Sequence, residues 1–170
     1  MNHTIRKIVL ASSTVSTVAG LAGTPSTIDG TLADARFTFP GGIVADTSGD
    51  DIFVSSAATI RRISLSSNQV TTIAGMAGTS GYVDGIGSAA RLGGGQLALD
   101  TNGDLLMAEG ARIRRISSNG LVTTLAGTAH DLGVRAGPLP ASLNRCMGIA
   151  VSAGGIAVTD FAENVVLLIR

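Results

Sequence analysis

The stretch Ile113-Arg114-Arg115-Ile116, followed by Val-Thr-Thr-Leu-Ala-Gly at residues 122–127, recurs through the chain with few changes. Earlier copies are Ile60-Arg61-Arg62-Ile63 with residues 70–75, and Ile5-Arg6-Lys7-Ile8 with residues 15–20. A fourth copy, Val166-Leu167-Leu168-Ile169, has leucine at both basic positions. The copies begin at residues 5, 60, 113 and 166, which are 55, 53 and 53 residues apart. A period of this length indicates propeller blades or a helical array.

The local pattern favours strands over helices. Each repeat contains four short segments rich in Val, Ile and Thr, separated by Gly, Asn, Asp and Ser, which is typical of strands joined by turns. Ile60 and Ile63 lie three positions apart and therefore point to opposite faces of a strand. Sheets that are apolar on both faces are expected to stack on one another, as the blades of a β-propeller do. The sequence therefore predicts an all-β fold of four-stranded propeller blades, labelled a to d from the inside outwards.

We predict a single propeller region over residues 1–170. Strands c and d of a partial blade are expected at residues 1–20, full blades at 42–75 and 97–127, and strands a, b and c of another at 148–170. A closed propeller has about four to eight blades, so this chain amounts to about three blades of a ring. Its open ends predict association. Either the chain is part of a longer propeller, or two chains close one ring, with residues 15–20 of one beside residues 165–170 of the other.

Composition excludes some classes of function. Lys+Arg and Asp+Glu are equal at 12 each, which argues against a general nucleic-acid binder. No apolar run approaches the roughly 18 residues that a membrane helix needs, and the start of the chain lacks the apolar core of a signal peptide. The sequence therefore indicates no membrane partner and does not indicate a compartment. A single cysteine, Cys146, excludes an internal disulfide.

The long loops from strand d to the next strand a are the candidate binding region, because ligand sites favour loops on a rigid scaffold. The first two loops share an Asp and an Arg seven residues apart, and the third has serine in place of that Arg, with another arginine nearby. The candidate binding residues are Asp29, Arg36, Asp84, Arg91 and Arg135. The alternative is a scaffold role, in which each Asp shapes its turn and each Arg pairs with it to hold the loop.

Other chemical signals are weak. His3, His130 and Cys146 lack the paired spacing of zinc ligands, so we predict no metal site and no cofactor. No nucleophile elbow or phosphate loop is present, so no catalytic residue is assigned. The acidic residues after strand b are interpreted as solvated turn residues, and the arginine pairs of strand c as side chains whose heads reach water at the rim. Those residues are Glu109, Asp160, Glu163, Arg61, Arg62, Arg114 and Arg115.

Four parts of the sequence resemble the NHL repeat: residues 70–75, the loop with Asp84-Gly85 and Ala90-Arg91-Leu92, the unit at residues 113–116, and the strand Gly148-Ile149-Ala150-Val151. NHL repeats form β-propellers, commonly six-bladed. They occur in RNA-binding translational repressors, in a peptide-amidating lyase and in many secreted or cell-surface proteins. The resemblance implies half of such a ring and no single function. We expect a non-catalytic module that binds a protein or peptide or serves as a scaffold. The alternatives are part of a lyase or hydrolase with its site at the central opening, and an RNA-binding propeller.

Overall fold

The computed structural model describes residues 1–128, 133–135, 137 and 141–170. Within these residues the fold is all-β, with 15 strands in four antiparallel sheets and one short 3₁₀ helix at Gly87–Ala89. No helix in the described part of the chain is long and apolar enough to cross a membrane. The predicted fold class is confirmed: the chain is part of a β-propeller.

The four sheets follow one another along the chain, and we number them as blades I to IV. Blade I contains β1 (Ile5–Val9) and β2 (Thr14–Ala19). Blade II contains β3 (Gly30–Thr31), β4 (Pro40–Ala45), β5 (Asp51–Ser56), β6 (Thr59–Ser64) and β7 (Gln69–Gly75). Blade III contains β8 (Gly85–Ile86), β9 (Gln96–Leu99), β10 (Leu105–Glu109), β11 (Arg112–Ile116) and β12 (Leu121–Ala126). Blade IV contains β13 (Cys146–Ser152), β14 (Gly155–Asp160) and β15 (Val165–Ile169).

Blades II and III each have one strand more than the pattern predicts. β3 pairs with β7, and β8 pairs with β12, so the loop that leads into each blade first lies along the outer edge of its strand d. These strands are only two residues long and lack an alternating apolar pattern. Sequence periodicity therefore gave no sign of them.

The blades stack through both faces of strand c. Ile60 packs with Leu97 and Met107 of blade III, while Ile63 belongs to a second cluster that includes Ile5 of blade I. Both isoleucines are fully buried. This confirms that residues three apart in strand c serve opposite faces, and it explains why the apolar pattern is two-sided.

Two ends of the propeller can be distinguished. The loops from strand d to the next strand a and the short b–c turns lie at one end, which we call the loop end. The a–b and c–d hairpins lie at the other, which we call the hairpin end. The hairpins use the predicted turn chemistry: the carboxylate of Asp100 accepts the backbone N–H groups of Asn102 and Asp104 at 2.8 and 2.9 Å.

Candidate functional site

Asp29, the first predicted binding residue, holds its loop against strands c and d of blade II. Its carboxylate accepts a hydrogen bond from Nη2 of Arg61 at 2.7 Å. It also accepts the backbone N–H of Thr72 at 2.8 Å and the Thr72 hydroxyl at 2.9 Å. We call this set the Asp–Arg–Thr clamp of blade II.

Blade III repeats the clamp with Asp84. Nη2 of Arg114 lies 2.8 Å from Oδ1 of Asp84, and both the backbone N–H and the hydroxyl of Thr124 donate to this carboxylate at 3.0 Å. The clamp fastens each interblade loop to the blade that it leads into. Its repetition with the same geometry indicates a scaffold role for both aspartates.

The predicted pairing of each Asp with the Arg seven residues later is wrong. Nη1 of Arg36 donates instead to the carbonyl oxygens of Ala33 and Ala35, at 2.7 and 2.8 Å. Arg91 makes the equivalent bonds in the next loop. A backbone bridge joins Ile28 to Arg36, so Asp29 lies one residue beyond the bridge and turns towards strand c. There its carboxylate pairs with the buried, positively charged guanidinium of Arg61.

The interpretation of Arg61 and Arg114 as rim residues is also wrong, because both side chains are fully buried. Burial of a charge is tolerated when the charge is paired and hydrogen-bonded, and loop carbonyl groups and the clamp aspartates supply these partners. Arg61, for example, also donates to Ile28 O at 2.7 Å and to Arg36 O at 2.9 Å. Arg62 and Arg115, one position further, are 47% and 39% exposed, as the sequence predicts.

Among its described residues, the loop before blade IV has no equivalent of the clamp. Arg135 is exposed and bridges Ser142, the position equivalent to Arg36 and Arg91. Ala136 follows Arg135 where the other loops have the clamp aspartate, and Leu167 replaces the buried arginine. The buried arginine and the aspartate at the position after the bridge are thus replaced together, as expected for charged groups that are costly to bury unpaired. Arg135 therefore does not form part of a symmetric polar ring. His130 lies outside the described residues.

Acidic side chains at the end of strand b are structural as well. Glu109 and Asp160 are both 1% exposed, so their interpretation as solvated turn residues is wrong. Asp160 accepts the backbone N–H groups of Asn144 and Arg145 at 2.7 and 3.0 Å, which fixes the chain just before strand a. Ser56 occupies the same place in blade II and receives the N–H of Thr38 at 3.0 Å.

Glu109 fixes the chain before strand a of blade III in the same way, and it is also ion-paired. Its carboxylate accepts the backbone N–H of Gly93, and Nη1 of Arg114 lies 2.8 Å from Oε2. Burial raises the pKa of Glu109 above its ordinary value, and the bonds from Gly93 and Arg114 limit the rise. Arg114 therefore joins two carboxylates, one inside the blade and one on the loop.

Replacement of Asp84 by alanine is expected to destabilise the fold by about 1–3 kcal/mol, because three donors lose their acceptor. The Asp29→Ala variant should lose a similar amount, since the two clamps have the same geometry. Urea unfolding would measure both. Asp34→Ala is the matched control, since Asp34 is also an exposed loop aspartate and its partner is the nearby Thr31 hydroxyl. Equal stability of the Asp84 and Asp34 variants would contradict the clamp.

Three aromatic side chains are exposed at the loop end, and two of them lie beside an arginine. Phe39, Tyr82 and Phe161 are 61%, 51% and 65% exposed. The guanidinium of Arg112 lies 4.4 Å from the Tyr82 ring centroid, and that of Arg145 lies 5.3 Å from the Phe161 ring centroid. His3 contacts Phe39 edge to face, with the ring centroids 5.3 Å apart.

Phe39 and Arg145 line a cleft that has a glycine floor and consists of two adjoining parts. One part, of about 500 Å³, extends from Phe39 to Gly93, and a second part, of about 300 Å³, extends to Arg145 and Met147. The two parts share Gly41, Gly94 and Gly95. The hydroxyl of Tyr82 reaches Gly110, which lines the second part. The cleft therefore runs across the starts of strands a in blades II, III and IV.

Sequence reasoning missed this surface because its members are not repeated from blade to blade. Tyr82 lies in a d–a loop, Phe161 in a b–c turn and Phe39 just before a strand, so no common spacing connects them. The available signal in the sequence was the small number of aromatic residues. The chain has only four Phe and one Tyr, and three of these five are exposed at one end.

A metal-binding cluster and a reactive thiol are both absent from the described residues. Among them no group of three or more His, Cys, Asp or Glu side chains could hold a metal ion. Burial raises the pKa of the Cys146 thiol to about 12, so this thiol is not a ready nucleophile. The buried carboxylates near the cleft accept hydrogen bonds that hold the backbone, as described above.

No protein-family model matches the sequence, and no curated protein matches it. Solved structures are similar to it in fold. A structural genomics protein of unknown function from Bacteroides thetaiotaomicron VPI-5482 superposes with a TM-score of 0.75 and 17% identity, over 97% of this chain and 41% of that chain. An auxiliary nutrient binding protein from Bacteroides ovatus ATCC 8483 gives a TM-score of 0.74 and 19% identity, over 97% and 42%.

Virginiamycin B lyase from Staphylococcus aureus superposes with a TM-score of 0.52 and 15% identity, over 99% of this chain and 49% of that chain. The chain thus spans less than half the length of each of these structures. At such low identity the similarity shows the fold alone. The chain is similar to β-propeller proteins over nearly its whole length.

Proposed function

We propose that this chain is an NHL-type half-propeller that acts as a non-catalytic protein or peptide interaction module. The recognition surface in this proposal is the loop-end cleft lined by Phe39 and Arg145, together with the exposed side chains of Tyr82, Arg112 and Phe161 at the same end. The observation that supports the proposal is that acidic and aromatic side chains have different roles at this end. Buried acidic groups are engaged in holding the backbone, while arginine-backed aromatic rings are left exposed.

The charge of this surface favours a partner segment that carries carboxylates. A guanidinium stacked on an aromatic ring keeps its N–H edge free to donate, and such an edge matches a carboxylate in a bidentate geometry. Glu109 and Asp160 are buried behind the surface, and the exposed Glu163 accepts a bond from Nδ2 of Asn144 at 2.7 Å. Phe39 supplies an apolar contact at the far end of the cleft. We therefore favour an acidic peptide with aromatic or aliphatic residues.

RNA is the less favoured ligand. Single-stranded RNA stacks its bases on open aromatic faces in a cationic groove. Here one face of both Tyr82 and Phe161 is covered by an arginine, and the whole chain carries no net charge. The enzyme alternative has no specific observation in its favour among the described residues.

Fluorescence anisotropy with a short labelled peptide of alternating glutamate and phenylalanine tests the proposal. The protein should bind this peptide more tightly than a lysine–phenylalanine peptide of equal length. Each of the variants Arg112→Gln and Arg145→Gln should weaken binding about tenfold or more, because a hydrogen bond to a charged group contributes about 1.5–3 kcal/mol.

The matched control is Arg62→Gln. Arg62 lies on strand c, like Arg112, but towards the hairpin end, where it pairs with Asp51 at 2.6 Å. This variant should bind as the parent does. Equal weakening by all three variants, or no preference for the acidic peptide, would count against the cleft. Tighter, salt-dependent binding of labelled oligouridylate would favour RNA instead.

A further inference from the structure

Glu109 is buried next to the floor of the loop-end cleft. Its Oε1 accepts the backbone N–H of Gly93, which lines the larger part of the cleft. A Cβ placed on Gly93 would lie 3.4 Å from this Oε1 and 3.5 Å from Cε1 of Tyr82. Glu109 and the exposed ring of Tyr82 therefore both lie beside the same floor residue.

A second connection runs from Glu109 to the loop that carries Tyr82. Nη1 of Arg114 lies 2.8 Å from Oε2 of Glu109, and Nη2 of the same guanidinium lies 2.8 Å from Oδ1 of Asp84. Asp84 is only two residues after Tyr82 in the chain. The loop of Tyr82 is therefore tied to the Glu109 carboxylate independently of the bond to Gly93.

Holding the backbone before strand a does not by itself require this ion pair. In blade II the neutral hydroxyl of Ser56 accepts the N–H of Thr38 at 3.0 Å. In blade IV the carboxylate of Asp160 accepts backbone N–H groups. Glu109 instead shares its carboxylate between the N–H of Gly93 and a buried guanidinium. The ion pair is therefore a connection beyond the one that the fold uses at this place in the other two blades.

Uptake of a proton by Glu109 breaks this arrangement. A carboxylate accepts at both oxygens, whereas a neutral carboxyl group has one O–H donor. Gly93 and Arg114 are bound to different oxygens, and both are donors, so whichever oxygen takes the proton loses its partner. A neutral Glu109 can therefore hold either the floor or the clamp arginine in the present geometry, and not both.

The surroundings of Glu109 favour proton uptake at this side chain. The titratable and charged side chains on the elements packed around it are Tyr82, Asp84, Arg91, Arg112, Arg114 and Cys146. The b–c turn of blade II, which lines the same part of the cleft, has alanine at positions 57 and 58. Burial raises the pKa of Glu109, and that of the Cys146 thiol to about 12. A proton that enters this group of side chains in mildly acidic solution is therefore expected at Glu109.

We propose that Glu109 is a positioning residue of the loop-end cleft, and that its ionised carboxylate holds the Gly93 floor and the Tyr82 loop in the form that binds the partner peptide. Uptake of a proton by Glu109 releases one of these two connections and weakens binding. This role rests on the proposed function, because the cleft is the recognition surface there. It adds that recognition is stronger in neutral than in mildly acidic solution.

Tyrosine fluorescence reports on this place without any peptide, because Tyr82 is the one tyrosine of the chain and the chain has no tryptophan. The neutral condition is about pH 7.5, and the acidic condition is about pH 5, where an ordinary glutamate is still largely ionised. The parent emission should change sigmoidally between the two, with constant far-UV circular dichroism. Glu109→Gln, the neutral isostere, should show no change and should emit in both conditions as the parent does in the acidic one.

Two variants control for other titrating groups. Glu163→Gln removes the other glutamate of the chain, which is exposed at the same end, and should keep the transition. His3→Gln with His130→Gln removes both histidines, the residue type that ordinarily titrates in this range, and should also keep it. Loss of the transition in either control, or its persistence in Glu109→Gln, would overturn the proposal.

Peptide affinity tests the effect on recognition. The labelled peptide carries cysteic acid in place of glutamate, because a sulfonate stays ionised in both conditions. The parent should bind it about fivefold or more weakly in the acidic condition, and Glu109→Gln should bind weakly in both. Equal parent affinity in the two conditions would overturn the role of Glu109 and leave the proposed function standing. Failure of the parent to bind either this peptide or the glutamate peptide at neutral pH would reject both.

Discussion

Replacement of Arg114 by leucine is expected to destabilise the protein by about 3–5 kcal/mol, because it leaves a buried carboxylate without its counter-ion. Arg114 is fully buried and joins Glu109, which is 1% exposed, to Asp84 of the interblade loop. Leucine occupies the equivalent position in blade IV, as Leu167, so this position of the repeat can hold a leucine side chain. The loss should therefore come from the unpaired charge and not from poor packing. Urea unfolding followed by far-UV circular dichroism would measure it.

A double-mutant cycle identifies the source of the loss. Glu109→Gln keeps an oxygen that can accept the N–H of Gly93 but carries no charge. The Arg114→Leu/Glu109→Gln pair should therefore lose less than the sum of the two single variants, by about 0.5–3 kcal/mol. Arg115→Leu is the control, since Arg115 is 39% exposed and its ion pair with Asp104 is worth about 1 kcal/mol or less. Strict additivity of the cycle would contradict the assigned pairing.

Replacement of Gly75 by alanine is expected to cost about 2–5 kcal/mol. Gly75 has a φ of +88°, a conformation that costs an L-residue about 1–2 kcal/mol. A Cβ at this position would also overlap the carbonyl oxygen of Ala58 in the b–c turn, and overpacking adds about 1–3 kcal/mol. Gly127 repeats this arrangement in blade III, with a φ of +87° and the carbonyl oxygen of Ala111. The repeated Ala-Gly ending of strand d therefore has a steric cause.

A substitution at Gly78 allows the cost of the positive φ to be measured apart from the cost of the steric overlap. It has a φ of +74°, but no atom lies within 4 Å of a Cβ added there. Gly78→Ala should therefore cost only the conformational part, about 1–2 kcal/mol. The shift in thermal midpoint should be clearly larger for Gly75→Ala than for Gly78→Ala. Midpoints that agree within error would show that the close contact between strand d and the b–c turn is unimportant.

Several features of this protein follow from local residue pattern. Strand c was recognisable because the side chains of Ile60 and Ile63 must lie on opposite faces of the sheet. Both isoleucines are buried, each in a separate cluster. Asp100 could be assigned to a hairpin because its bonds to Asn102 and Asp104 lie within one turn. Arg62 and Arg115 could be placed at the surface for a similar reason, since their partners belong to the neighbouring hairpin. The sequence pattern that reveals each of these features lies within about 15 residues.

The partners of Asp29 and Arg61 could not be predicted in this way. They lie 32 residues apart, and the nearer Arg36 appeared to be the natural partner of Asp29 by spacing alone. Only the path of the loop along the outer edge of strand d brings Asp29 to a buried guanidinium. Glu109 presented the same difficulty, because the end of a strand looks solvated until the following loop covers it. The aromatic and cationic side chains of the cleft come from unrelated positions in the repeat.

The sequence by itself determined the repeat, the all-β class and the propeller architecture, because these depend on a periodic pattern of buried residues that neighbouring positions encode. The tertiary structure decided which charges are buried, which loops they hold and which side chains remain exposed at the loop end. Such properties depend on contacts between residues distant in the chain, and no local pattern encodes them.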